Sequence, residues 1–462
     1  MVTITSSYTV TPSEPTPKAC MWLSGSDQSC PWTHTPTIYV YQPPPHQHDA
    51  FHTLKHSLQK ILVHYYPLAG RLRPIGGGRF EVDCNAKGVT LLQAESPKTL
   101  NHYGDFKPDH TITDLIPHID YTKPIDDIPL IFVQLTTFSC GGLIIGLANS
   151  HIMIDGLANS HTMMDGVAAI HFVSSWAKLA RGESLLEQDM PFLDRTVLKC
   201  PEPLRPPRFD HPEYKDMPLL LGTSDAKEEQ KKESTVELLK LTKEQVEKIR
   251  KEATESMNLK TAYTRYEAKP YTRFEAVSGH IWRSACKARK HEYNQPTLVR
   301  TVGDIRNRLN PPLPPNFVGN AILRTVSRNV RAGEVMSKAL GYAAQKVRDA
   351  IALVKDEEYL RDQLYLIETV EDVSRLRMGF HSLGCSKTPF FGNPNLVIGT
   401  WTSMGVYDAD FGWGKPLYMG PGLLGGEGKI FIIPSEDGSL VIAIRLQTAH
   451  MPDFKKFLYE DL

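Results

Sequence analysis

Six prolines between residues 201 and 218 constrain this chain more than any other feature. Proline lacks an amide hydrogen and fixes φ, so the run CPEPLRPPRFDHPEYKDMP, which starts at Cys200, can be neither helix nor central strand. It divides the 462 residues into halves of similar size. The charged segment 225–234 extends the break, and residues 200–234 together read as an exposed crossover, with Glu228–Lys232 as solvated surface. On either side, strand and helix patterns interleave. Thr37–Tyr41, Leu130–Thr137 and Leu143–Ala148 have strand character, as does Val236–Leu241 beyond the crossover. Phe51–His64 sets Leu54, Leu58, Ile61 and Leu62 at helical spacing, and Val167–Ala180 is a second helix closed by Gly182. The pattern implies an α/β fold in two domains, 1–199 and 235–462.

The charge balance narrows the partners. Lys plus Arg equals Asp plus Glu at 52 each, so the basic excess that a nucleic-acid footprint needs is absent. The opening MVTITSSYTVTPSEPTP has neither the basic region nor the apolar run of a signal peptide. No apolar stretch approaches the roughly 18 residues of a membrane-spanning helix. The seven cysteines (20, 30, 84, 140, 200, 286 and 385) include no CxxC pair, so neither a zinc ribbon nor a disulfide frame is indicated. A cytoplasmic monomer with no membrane or nucleic-acid partner fits these features.

Two short tandem repeats stand out. GLANSHIMID (146–155) is followed by GLANSHTMMD (156–165), and YTRYEA (263–268) precedes YTRFEA (271–276). Both read as local duplications in which one copy is surplus. In the second pair, each copy offers a T-x-x-E capping box, Thr264/Glu267 and Thr272/Glu275. Pro270 lies between them and cannot sit inside a helix. The helix through His280, Ile281 and Trp282 should therefore start at Thr272, leaving the first copy as loop. A similar box, Thr242 with Gln245, opens the helix that follows Val236–Leu241.

The first repeat carries chemistry. His161-Thr-Met-Met-Asp165-Gly166 follows an apolar strand and precedes a helix. A neutral imidazole, with a reference pKa near 6.5, takes protons at neutral pH. Asp165 suits a structural task, fixing the loop or pairing with a cation, and Gly166 suits a sharp turn into the helix. The spacing alone is weak evidence. His151, His161 and His171 recur every ten residues beside Asp155 and Asp165, which leaves a metal reading open. The glycine after each aspartate and the strand before each histidine argue against tetrahedral convergence, so no metal ligand is assigned.

Asp410-Phe-Gly-Trp-Gly414 follows Tyr407-Asp-Ala, about 245 residues after the histidine motif. With Tyr66-Pro-Leu-Ala-Gly-Arg71, Trp176–Gly182, Asp304-Ile-Arg-Asn-Arg308, Pro311-Pro312 and Phe317-Val-Gly-Asn320, it resembles the plant BAHD acyltransferase family almost end to end. The resemblance implies two chloramphenicol-acetyltransferase-like lobes with mixed sheets and a channel between them. A segment near 385–405 would pack with the first lobe. A CoA thioester would enter as co-substrate, with no bound cofactor. His161 would strip a proton from the acceptor as it attacks the thioester carbonyl, without a covalent acyl-enzyme. Asp410 would be architectural, paired with Arg306 or Arg308, with Gly412 and Gly414 shaping the channel. Trp413 would offer its indole to the oxyanion.

The acceptor is read from two features. In the shikimate- and quinate-acylating branch an arginine binds the acceptor carboxylate, and Ser403 occupies its place here. The opening SSYTVTPSEPTP and the stretch Gly420-Pro421-Gly422 resemble the spermidine hydroxycinnamoyl transferases, which implies a polyamine acceptor and N-acylation. An amine of pKa near 10.4 is only about 0.04% neutral at pH 7, so acidic groups such as Asp408 would hold the other amines while one is desolvated. O-acylation of an alcohol such as shikimate or quinate, a carrier-protein condensation enzyme, and a non-catalytic relative remain open. So does the motif copy. His161 is favoured because Asp165-Gly166 enters the helix directly, whereas a strand continued in register would use His151 with Asp155.

Overall fold

The computed structural model describes residues 1–30, 34–44, 49–150, 163–261, 269–381, 392–460 and 462. The strands of the first half are β1 Thr3–Val10, β2 Cys20–Trp22, β3 His34–Tyr41, β4 Arg71–Gly76, β5 Arg79–Asp83, β6 Val89–Ser96, β7 Ile131–Phe138 and β8 Leu143–Ser150. The second half adds β9 Ser234–Leu241, β10 Val299–Asp304, β11 Ile322–Val326, β12 Leu396–Thr400, β13 Tyr418–Pro421, β14 Lys429–Pro434 and β15 Leu440–Gln447. They form two six-stranded sheets, ordered β1-β6-β7-β8-β3-β13 and β11-β10-β12-β14-β15-β9, and a small sheet β2-β5-β4. Both large sheets are mixed: β6 runs parallel to β7, and β12 runs parallel to β10 and β14. The fold is thus two α/β lobes, each with its own sheet.

Helices α1 Gly25–Ser29, α2 Ala50–His64 and α3 Gly166–Ala180 belong to the first half. The second begins with α4 Lys227–Lys231, α5 Lys243–Thr261 and α6 Arg273–Ala288. The apolar stripe of α2 is fully buried at Leu54, Leu58, Ile61 and Leu62, and α3 packs on it. The Trp176 indole of α3 donates to Ser57 Oγ of α2 at 2.9 Å. α6 starts where its capping box requires: Glu275 N–H donates to Thr272 Oγ1 at 3.2 Å, and Thr272 N–H to Glu275 Oε2 at 2.9 Å. The first copy, 263–268, lies outside the described residues. α5 opens on the Thr242–Gln245 box.

Two expectations need correction. Within the segment near 385–405 expected to pack with the first lobe, Leu396–Thr400 is an inner strand of the second sheet, whereas Trp401 and Met404 pack against the first hydrophobic core. The exchange continues further on. β13 pairs with β3 from Tyr418↔Val40 to Pro421↔Thr37 and covers an edge that would otherwise stay open. Val406, Ala409, Phe411 and Trp413 join the first hydrophobic core. The crossover, for its part, is pinned rather than simply exposed. Asp362 accepts the amides of Arg208 and Phe209 at 2.7 and 2.8 Å and the Arg205 guanidinium at 2.6 Å. The proline-rich stretch at Arg205–Phe209 lies in no helix or sheet, so its amides must find acceptors elsewhere, and this buried carboxylate supplies them. Glu229, inside the supposedly solvated 228–232, is 9% exposed and accepts from Gln447 Nε2 at 2.7 Å. Among the described residues no helix is long and apolar enough to cross a membrane, and the six described cysteines are unpaired.

Candidate active site

The site forms where α3 begins. Asp165 is the N-cap of α3, accepting from Ala168 N–H at 3.0 Å. The same carboxylate receives both terminal nitrogens of Arg306, at 2.7 and 2.8 Å, and the amide of Ala321 at 2.9 Å. Arg306 follows β10 and Ala321 precedes β11, so one side chain of the first lobe is bound by two elements of the second. The pair is buried, with Asp165 1% and Arg306 5% exposed. Burial opposes the guanidinium charge, but the carboxylate beside it outweighs that and holds its pKa above the ordinary value. Bidentate charge-assisted bonds of this kind impose geometry as well as attraction.

The expected pairing of Asp410 with Arg306 or Arg308 is corrected. Arg306 is committed to Asp165, and Arg308 Nη1 donates to the Val354 carbonyl at 2.7 Å. Asp410 is satisfied within its own loop: Oδ1 accepts the amides of Gly412 at 2.8 Å and Gly414 at 2.9 Å. Its main-chain carbonyl accepts from Arg181. Both glycines have left-handed backbones, φ +96° and +92°, where a Cβ would be strained. The loop thereby points Phe411 and Trp413 into the core. Phe411 meets Trp176 edge-on at 4.9 Å, and Trp413 meets Tyr41 edge-on at 5.5 Å. Trp413 lines neither cavity described below.

Gly166 serves a different purpose from the expected turn. It is the first residue of α3, and a Cβ there would stand 2.8 Å from Met404 Cε. The contact is with the flexible end of the Met404 side chain and not with the backbone of the 401–414 loop. His161, and the alternative copy His151 with Asp155, lie outside the described residues. Their flanks are visible. β8 stays in register with β3 through His34↔Ser150, and the chain returns at Met163, whose carbonyl accepts from Arg195 Nη2 at 2.7 Å. His171 is separate, on α3, with Nδ1 2.6 Å from the Tyr65 hydroxyl.

A second buried network went unnoticed in the sequence. Asp27 accepts the backbone and side-chain amides of Asn320 at 2.9 and 2.7 Å and lies 3.2 Å from Arg195 Nη1. It anchors the Phe317–Asn320 turn that delivers Ala321 to Asp165. Asn320 was visible as a motif residue, but nothing local marked Asp27 or Arg195.

Two adjoining cavities share Gly166, Trp401, Met404 and Phe431. The larger, about 120 Å³, is lined by Cys30, Asp165, Thr301, Arg324 and Lys429 among others. The smaller has apolar walls that include Tyr39, Leu147, Met164 and Val173. Among the described lining residues the charged side chains are Asp165, Arg324 and Lys429. Lys429 is 8% exposed, and burial pushes its ammonium pKa well below the ordinary lysine value. Ser403 and Asp408, expected at the acceptor, are exposed and line neither cavity, although Trp401 and Met404 beside them do.

Known proteins are similar to this chain in sequence or in fold. A model of the Transferase family matches residues 1–461. Hydroxycinnamoyl-CoA:piscidic acid hydroxycinnamoyltransferase of Actaea racemosa is 46% identical over 467 residues, 100% of both chains. Shikimate O-hydroxycinnamoyltransferase of Nicotiana tabacum is 38% identical over 99% of both. Among solved structures, F. graminearum TRI101 complexed with coenzyme A and T-2 mycotoxin superposes with a TM-score of 0.74 at 18% identity. That likeness covers 95% of this chain and 97% of the other and is one of fold.

Proposed function

This chain belongs to the transferase family of BAHD acyltransferases, and from that premise we propose that it moves a hydroxycinnamoyl group from CoA to a hydroxyl of a small carboxylic acid, with His161 as general base. The observation that carries the acceptor reading is the charge of the larger cavity. Its described walls hold the Arg324 guanidinium, the Lys429 amine, whose pKa burial keeps well below the ordinary lysine value, and one carboxylate, Asp165, already paired with Arg306. That field suits an anion. It weighs against the polyamine expected from the sequence, whose ammonium groups need carboxylates. The names of the two relatives point the same way, one to piscidic acid and one to shikimate.

The reaction needs a base, a place for the acyl group and a fixed distance between them. His161 takes the acceptor's proton as its oxygen attacks the thioester carbonyl. The protonated imidazole then delivers that proton to the departing sulfur, giving ester and free CoA. The acceptor attacks directly, so no acyl-enzyme forms. The smaller apolar cavity suits the flat aromatic acyl group, because burial of its ring is favourable and requires no polar partner. Asp165 and Arg306 are positioning residues. Their bonds hold the start of α3 against the second lobe and set where the chain carrying His161 ends.

Product detection by mass spectrometry tests the reading. The chain would be given p-coumaroyl-, caffeoyl- or feruloyl-CoA with shikimate, quinate, further small hydroxy acids or spermidine, and no carrier protein. Acylated hydroxy acid is the expected product. Acylated spermidine without it would overturn the acceptor assignment. Failure of every free CoA thioester would favour a carrier-dependent condensation enzyme.

A further inference from the structure

We infer that the Met404 side chain is a movable partition between the two cavities and selects among acyl donors by the ring substitution it yields to. This rests on the reading that the smaller cavity takes the aromatic acyl group. Acyl group and acceptor must then meet at the wall the cavities share, which is made by Gly166, Trp401, Met404 and Phe431. Asp165 lines only the larger cavity and Val173 only the smaller, so the start of α3 runs along this wall. Met404 lies across it. Its Cε and Sδ would stand 2.8 and 3.0 Å from a Cβ on Gly166.

The parts of the wall differ in their freedom to move. Gly166 has no side chain. The Phe431 ring rests against Gly399, where a Cβ would stand 2.8 Å from its Cε1, and Trp401 packs on it with centroids 5.0 Å apart. Flat rings packed this closely cannot turn without displacing one another. The backbone of Met404 is held in turns: its amide donates to the Trp401 carbonyl at 3.1 Å, and its carbonyl accepts from Val406 N–H at 2.8 Å. What can move is the unbranched thioether itself, half-buried and able to fill irregular space in several rotamers. The smaller cavity holds about 60 Å³ against about 120 Å³ in the larger. A ring widened by methoxy groups therefore gains room as Met404 swings toward the larger cavity.

The test measures kcat/KM for p-coumaroyl-CoA, whose ring lacks methoxy groups, and for sinapoyl-CoA, whose ring has them on both sides of the hydroxyl, with one hydroxy acid as acceptor. Met404→Ala should raise the sinapoyl-to-coumaroyl ratio by about 10-fold or more. Met404→Ile keeps a similar bulk but branches at Cβ and stiffens χ1, so it should lower the ratio. Gly166→Ala should lower it as well, and adding Met404→Ala should relieve that loss, because the new methyl group then has room. An unchanged ratio in folded Met404→Ala, or a Gly166→Ala loss that Met404→Ala leaves in place, would overturn the role of Met404; thermal unfolding identifies any variant that has lost its fold. A change confined to the KM for the acceptor, equal with both donors, would overturn it too and would seat the acceptor in the smaller cavity. No acylated product from either donor in the native chain would overturn hydroxycinnamoyl transfer itself, and the partition with it.

Discussion

Asp165 and Asp410 each stand in a glycine-containing motif, and each accepts backbone amides, yet they reach over very different distances. Asp165 gathers donors from its own helix and from two elements of the other lobe, Arg306 and Ala321. Asp410 takes its side-chain bonds from amides two and four residues further on. The first carboxylate joins lobes and borders the cavity. The second shapes a turn so that Phe411 and Trp413 can fill a core. Residue type and motif membership do not separate these roles. The identity of the donor does.

The largest effect expected lies four residues before Asp165. His161→Ala should lower kcat/KM by about 100-fold or more, while His151→Ala should retain most of the activity in steady-state assays with a fixed acyl-CoA. The reverse pattern would move the chemistry to the first copy and leave Asp165 a purely structural residue.

Next come the pairs themselves. Removing one partner of the buried pair, in Asp165→Asn or Arg306→Met, should cost about 3–5 kcal/mol in denaturant unfolding. The double variant should cost clearly less than the sum. Asp410→Ala should cost less, about 1–2 kcal/mol, since two amides lose one half-buried acceptor. Its cost should add to that of Arg306→Met within about 0.5 kcal/mol. Measurable coupling between Asp410 and Arg306 would restore the pairing expected from the sequence and erase the contrast.

The smallest effects test the glycines. Gly412→Ala forces a Cβ into a backbone of φ +96° and should destabilise by about 1 kcal/mol. Gly166→Ala meets only the flexible end of Met404, so thermal unfolding should register less. Its methyl group would instead narrow the wall shared by the two cavities, to be read as a rise in KM.

Local signals were the legible ones. The helix start at Thr272 followed from a hydroxyl, a carboxylate three residues on, and a proline that forbade the earlier start. The stripe on Phe51–His64 announced its buried face, and the chain of motifs announced two α/β lobes. The cation awaiting Asp165 was foreseen as a kind of group and then assigned to the wrong aspartate. Arg306 is 141 residues from one and 104 from the other, and no pattern in the chain ranks those separations. Ser403 failed for a related reason: a sequence position beside lining residues does not say which way a loop faces.

By itself, the sequence determined the interleaved elements, the break after Cys200, the caps and the chemistry a histidine motif can perform, because these depend on residues within a few positions of one another. Tertiary structure alone decided that β13 would close the first sheet, that Asp362 would pin the crossover and that Lys429 would face the cavity. Each of those outcomes is a choice among competing distant partners. Burial makes the choice, since a charge or amide removed from water must take whichever partner the folded chain brings within reach.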